Sequence, residues 1–235
     1  MVFRRISFAL AAWLALVVPA FGSGDSANFV NLGFSADGRV YMFAQYGVLS
    51  GSLRPWADVF IIDVESGALV PGGSASFVHD RPIVAGQNGS GAMHAILAGN
   101  TLMAEQHDVV FPNQGQPLYI ALTGDPALSG QPITFRDFSS NEAVVFYEAS
   151  LSQSIQGSGE SLRSSFVIDL KKTHRGETRT FRLGSPVEWR TGVISYHIRQ
   201  VLVSPSGSSL VFVIETRHPA GNTHNVRYMV QTLRL

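Results

Sequence analysis

The sequence predicts a mainly β fold built from antiparallel hairpins, with one inserted helix. Apolar runs rich in Val, Ile and Phe occur in pairs, separated by short turns that contain glycine. Charged residues make up only 14% of the chain, below the ~25% that is typical of globular domains. One stretch, residues 90–108, instead repeats its apolar residues at helical spacing.

The first hairpins show the strand pattern most clearly. Residues 29–34 form an apolar-rich run, residues 35–38 read Ser-Ala-Asp-Gly, and residues 40–46 form the next run. Asp-Gly between two such runs is a strong hairpin signal, because glycine tolerates the positive φ that the turn requires. Residues 59–70 repeat the pattern around a Glu-Ser-Gly turn.

The same pattern returns in the second half of the chain. Further hairpins are predicted over residues 133–149, 166–183 and 198–214, and a last strand over residues 227–233. This strand pattern resembles the WD-like blades of the periplasmic Tol translocation protein, with their Ser-Pro-Asp-Gly turns. We therefore expect an irregular or partial β-propeller-like domain. A two-sheet β-sandwich is the alternative, since any antiparallel meander uses such turns.

The inserted helix is predicted from residues 90–108. Ser90 is placed to cap its start, Gly99 weakens it by about 1 kcal/mol relative to alanine, and Pro112 prevents its continuation. Its apolar stripe consists of Ala92, Met93, Ile96, Leu97, Met103 and Ala104.

The N-terminus has the pattern of a secretory signal. Arg4 and Arg5 precede an uncharged apolar run at residues 6–18. Pro19 ends the run, and Ala20 and Gly22 put small residues at the two positions that a signal peptidase reads. The 13-residue run is too short to span a bilayer, which takes about 20 residues of helix. We expect removal of residues 1–22, a single secreted β-rich domain over residues 23–235, and no stable membrane insertion afterwards.

The composition indicates the cellular compartment in which the protein works and the classes of partner that it can bind. The absence of cysteine excludes disulfides, thiolate catalysis and Cys-based zinc sites, and it favours a bacterial periplasm or secretome. The signal carries two of the 17 basic residues and none of the 17 acidic ones, so the remaining chain has a net charge of −2. A nucleic acid partner is not expected, because binding to phosphates needs a basic face.

Four segments together resemble a bacterial family of predicted secreted proteins, the domain-of-unknown-function family 2259. They are residues 29–35, 43–48, 135–138 and 211–215. The resemblance implies export and a bacterial source. It supplies no activity, cofactor or catalytic residue.

Side chains that could carry chemistry are scattered. No Gly-x-Ser-x-Gly elbow occurs, and Ser195 and His197 share a strand face by simple alternation. Carboxylates serve glycoside hydrolysis and imidazoles bind metals. The candidate pocket residues on these grounds are Asp58, His79, Asp80, His218 and His224. His218 and His224 flank a Gly/Asn loop, so a hairpin could bring them together.

The function that follows is an exported, non-enzymatic interaction module with a partner in the cell envelope and no cofactor. A periplasmic hydrolase acting on carbohydrate or peptide is one alternative, and a metal-binding periplasmic protein is another. Exposed aromatic side chains would mark a binding face, although in a small β protein they are more often part of the core. The aromatic residues in question are Tyr46, Trp56, Trp189 and Tyr196.

Overall fold

A computed structural model of the chain describes residues 24–122, 130–138 and 144–235. The expected signal, residues 1–22, lies outside the described residues. The strands are β1 (Asn28–Phe34), β2 (Val40–Val48), β3 (Pro55–Asp63), β4 (Leu69–Val78), β5 (Gln116–Ile120), β6 (Ile133–Asp137), β7 (Val145–Gln156), β8 (Arg163–His174), β9 (Glu177–Thr191), β10 (Ser195–Val203), β11 (Ser209–Ala220) and β12 (Thr223–Arg234). The helices are α1 (Ser90–Gly99) and α2 (Thr101–Gln106).

The strands form three four-stranded antiparallel sheets. The first sheet has the order β1-β2-β3-β4 and the second β6-β7-β8-β9. The third has the order β12-β11-β10-β5, so β5 from the middle of the chain completes the C-terminal hairpins. The mainly β, antiparallel fold that the sequence predicts is confirmed.

The sheets are stacked face to face, with the third sheet in the centre. Side chains of the first and third sheets share one apolar cluster, which includes Phe34, Tyr41, Val211 and Val213. The opposite face of the third sheet shares a larger cluster with the second sheet. Helix α1 covers the outer face of the first sheet through Ala92 and Ile96. The order of layers is therefore helix, first sheet, third sheet, second sheet.

Two of the predicted hairpin turns have the same hydrogen bonding. The Gly38 amide donates to the Ser35 carbonyl over 3.0 Å, and the Gly207 amide donates to the Ser204 carbonyl over 2.8 Å. Each serine hydroxyl also accepts the amide five residues later. Similar local sequences thus give similar turns.

Across the described residues the three sheets stay open rather than closing into a ring. This arrangement is compatible with a partial propeller or a sandwich-like stack.

The inserted helix is present but divided. The prediction of one continuous helix over residues 90–108 was wrong, because α1 ends at Gly99 and α2 starts at Thr101. The Asn100 side chain donates to the Ile96 carbonyl over 2.8 Å, which satisfies a carbonyl at the end of α1. Gly89, not Ser90, occupies the N-cap position. In the described residues, neither helix has the length and apolar character needed to cross a membrane.

The start of the described chain is hydrogen-bonded to β12, the edge strand of the third sheet. The Val226 amide donates to the Asp25 carbonyl over 2.7 Å, and the Ala27 amide donates to the Val226 carbonyl over 3.2 Å. The Asp25 carboxylate accepts the Ser50 amide and contacts the Arg227 guanidinium at 3.3 Å. The start of the described chain therefore connects the first sheet to the last strand.

Candidate functional site

Asp58 lies on the face of the first sheet that packs on the third. Its carboxylate accepts a hydrogen bond from the Gln45 side chain over 3.2 Å. The other end of the same amide accepts the Tyr228 backbone amide over 2.8 Å. Asp58 is therefore part of a polar link between the two sheets.

His79 and Asp80 lie elsewhere on the first sheet. Asp58 pairs with Ser76 in the strand register, and the His79 amide donates to the Pro55 carbonyl. Because side chains alternate along a strand, Asp58 and His79 project from opposite faces of the sheet. The Asp80 carboxylate is 99% exposed and lies 3.9 Å from Arg54. The structure does not bring these three side chains into one cleft.

His218 and His224 are close in the hairpin but do not face each other. His218 pairs with Asn225, and His224 pairs with Pro219. Paired residues share a face and neighbours alternate, so the two imidazoles point to opposite sides of the ribbon. The described part of the chain contains no group of three or more His, Asp or Glu side chains arranged to hold a metal ion.

His218 has its own polar surroundings. Its Nε2 lies 3.0 Å from the Thr216 hydroxyl. Burial lowers the pKa of His218 below its ordinary value, and the positive charge of Arg227 lowers it further, against a smaller opposing effect of a backbone hydrogen bond at Gly192. The imidazole is therefore held in its neutral form more strongly than a free histidine.

A buried polar cluster surrounds Glu215, a residue that the sequence did not single out as a candidate. Its side chain is only 7% exposed, and its two oxygens contact different guanidinium groups. Arg217 Nε lies at 2.9 Å and Arg199 Nε at 3.4 Å. The register of β10 shifts between Ile198 and Gln200, so the irregularity is at Arg199 itself. Such an irregularity redirects a side chain in a way that strict alternation does not predict.

Ser195 and His197 adjoin this cluster on the same strand. The Ser195 hydroxyl lies 3.2 Å from His197 Nε2, and His197 pairs with Glu215 in the strand register. A catalytic triad needs a carboxylate that orients the imidazole. Here the two oxygens of Glu215 contact Arg199 and Arg217, so the geometry is that of an ion-pair network beside a Ser–His contact.

The aromatic residues considered from the sequence are mostly packed. Trp56 is 4% exposed, and its ring lies 4.2 Å from the Arg227 guanidinium carbon. Tyr196 is 2% exposed, and its hydroxyl lies 2.9 Å from that of Ser164. Trp189 is half-buried beneath Arg163. These contacts fit the core or core-edge role better than a binding face.

The outer face of the second sheet is where exposed aromatic and charged groups occur together. Phe146 is 46% exposed, and the Arg136 guanidinium lies over its ring at 5.0 Å. Beside them, Lys171 forms an ion pair with Glu148 at 2.9 Å. These side chains surround a depression of about 340 Å³, lined on this face by Thr134, Arg136, Phe146, Glu148, Lys171 and Thr173.

Comparison with protein families places this chain. The model of the family described as predicted secreted protein (DUF2259) matches residues 42–234. The chain belongs to this family. The resemblance stated from the sequence motifs is thereby confirmed, and the family description agrees with export. Comparison with curated proteins and with solved structures gives no significant match.

Replacing Glu215 tests whether the buried cluster stabilises the stack. We expect Glu215→Gln to lower the free energy of unfolding by about 2 kcal/mol, because a hydrogen bond to a charged group contributes ~1.5–3 kcal/mol. Urea denaturation measures the change. The matched control is Glu148→Gln, whose exposed pair with Lys171 contributes about 0–1 kcal/mol. Equal losses in the two variants would contradict the role given to Glu215.

The lowered pKa of His218 predicts that the folded protein becomes less stable as the pH falls. Its pKa is lower in the folded chain than in the unfolded one. As the pH falls below about 6.5, the unfolded chain takes up a proton first and stability is lost down to the folded pKa. We expect His218→Gln to lose less stability than the wild type between pH 8 and pH 5, as measured by urea denaturation. An unchanged loss of stability would contradict this assignment.

Proposed function

We propose that this member of a secreted family is a non-enzymatic binding module of the bacterial cell envelope. We further propose that a protein partner docks on the outer face of the second sheet. Removal of residues 1–22 on export to the periplasm belongs to the same proposal, and the lack of cysteine is consistent with it.

The observation that carries the proposal is the asymmetry of the stack. Helix α1 packs against the outer face of the first sheet. No described element packs over the depression on the outer face of the second sheet, where Phe146 stays 46% exposed. A face that carries an exposed aromatic ring in a depression is a typical place for a partner side chain to bind.

The chemistry of this face favours a protein partner. Two cross-strand ion pairs, Glu148 with Lys171 and Asp169 with Arg182, balance four of its charges. Phe and Arg are enriched at the centre of protein interfaces, and here Arg136 already stacks on Phe146. Binding to a near-neutral face with an aromatic centre gains more free energy from the burial of apolar area than from long-range electrostatic attraction.

Site-specific crosslinking from position 146 tests the proposal. A photoreactive amino acid replaces Phe146 in the full chain, and the protein is expressed in its native host and irradiated. We expect a discrete crosslinked protein of the envelope. The same substitution at Leu102, which is 70% exposed on α2 at the other end of the stack, is the control and is expected to give none.

Affinity capture with side-chain variants provides the second half of this test. We expect Phe146→Ala and Arg136→Ala to reduce recovery of the crosslinked partner at least fivefold, and Leu102→Ala to leave it unchanged. Equal recovery with all variants, or no crosslink from position 146, would contradict the proposed docking face.

A further inference from the structure

The hairpin that joins β8 to β9 concentrates positive charge in an otherwise balanced chain. The whole sequence has 17 basic and 17 acidic residues. Within residues 171–179 there is only one acidic residue, Glu177. The basic and imidazole side chains in the same nine residues are Lys171, Lys172, His174, Arg175 and Arg179. Such a concentration is a strong local electrostatic feature.

The strand register divides these charges between two faces. Lys172 pairs directly with Arg179, and His174 pairs with Glu177. Leu170, two residues before Lys172, belongs to the core shared with the third sheet. Lys172 and Arg179 therefore extend the inner face of the second sheet, while Lys171 points to the outer face. Like charges that lie directly opposite each other destabilise a pair of strands.

The inner-face side chains surround a pocket. A cavity of about 180 Å³ is lined by Lys172, His174, Glu177 and Arg179. The neighbouring cations of the same two strands are paired with carboxylates on the outer face, Lys171 with Glu148 and Arg182 with Asp169, whereas Lys172 lies opposite another cation, Arg179. Lys172 is half-buried, so its charge is incompletely solvated.

Two carboxylates add negative charge near this pocket, but they do not outweigh its positive charge. Glu177 is one of the lining residues, and the charge of Asp137 raises the pKa of Lys172. Burial and the positive charge of Arg179 outweigh Asp137, so the net effect is to lower the pKa of Lys172. The surroundings therefore disfavour the ammonium charge when the pocket holds no anion.

We propose that this pocket binds a phosphate group, either inorganic phosphate or the phosphate of a lipid headgroup. An oxyanion between Lys172 and Arg179 would replace their mutual repulsion by attraction to both. The guanidinium fork of Arg179 matches two phosphate oxygens, and the Lys172 ammonium supplies a point charge to a third. The His174 imidazole can supply a further N–H donor. The site lies on the opposite face of the sheet from the proposed docking face and is independent of it.

Titration of the secreted protein with inorganic phosphate tests the site. Amide chemical shifts are followed by NMR at constant ionic strength, with chloride as the reference anion. We expect shifts centred on Lys172 and Arg179. Lys172→Gln and Arg179→Gln are expected to weaken binding at least tenfold. The matched control is Lys171→Gln, which removes the same charge from the outer face of the same hairpin and is expected to change affinity less than twofold.

Sedimentation with vesicles distinguishes the two sources of phosphate. Vesicles of phosphatidylcholine with phosphatidylglycerol are compared with vesicles of phosphatidylcholine alone. Binding of phosphate without binding to the anionic vesicles assigns a free anion, and binding to the anionic vesicles that Lys172→Gln abolishes assigns a lipid headgroup. If neither phosphate nor the anionic vesicles bind, the proposal is overturned. An equal loss of binding in Lys171→Gln would also overturn it, because diffuse charge rather than the pocket would then explain the binding.

Discussion

The structure depends on one constraint, which is that the third sheet has to be buried on both faces. Strand β11 is apolar at every position from Leu210 to Ile214, and all these side chains are buried. A strand buried on both faces cannot show the alternation of a half-exposed one. Each face needs a covering layer, and the first and second sheets supply them. The stacked order of the sheets follows from this continuous apolar run.

The same constraint explains where polar chemistry collects. The apolar run of β11 ends at Glu215, which is still buried and must be partnered. Arg199 and Arg217 provide the partners from the same sheet, and Gln45 links the first sheet to Tyr228 nearby. The two outer sheets each have a second face that points away from the third sheet. Among the described residues, helix α1 packs on that face of the first sheet, and no described helix packs on that of the second.

Local chemistry made much of the fold predictable. The turns at Ser35 and Ser204 were recognisable because glycine and the hydroxyl side chains fix the backbone within a few residues. The division of the helix at Asn100 was not predicted. The spacing of apolar residues gives no information about a polar contact such as that of the Asn100 side chain, which donates a hydrogen bond to the carbonyl of Ile96. The stacking order was equally inaccessible, because it depends on contacts between residues far apart in the chain.

The candidate residues show the limit of sequence reasoning about sites. Loop length suggested that His218 and His224 could meet, but the register of the hairpin puts them on opposite faces. Glu215 was missed because one of its guanidinium partners, Arg199, lies on the neighbouring strand at a shift in register, which a strict alternation of side chains does not predict. The basic turn after β8 was visible in the sequence. Only the pairing of Lys172 with Arg179 showed which charges share a face.

Native-state hydrogen exchange tests the central position of the third sheet most directly. Amides in β10 and β11 are predicted to exchange most slowly, with opening free energies close to that of global unfolding, because both outer sheets must separate before they are exposed. Amides of β1–β4 and β6–β9 are predicted to exchange faster. Slower exchange in either outer sheet than in β10 and β11 would contradict the account of a stack built around the third sheet.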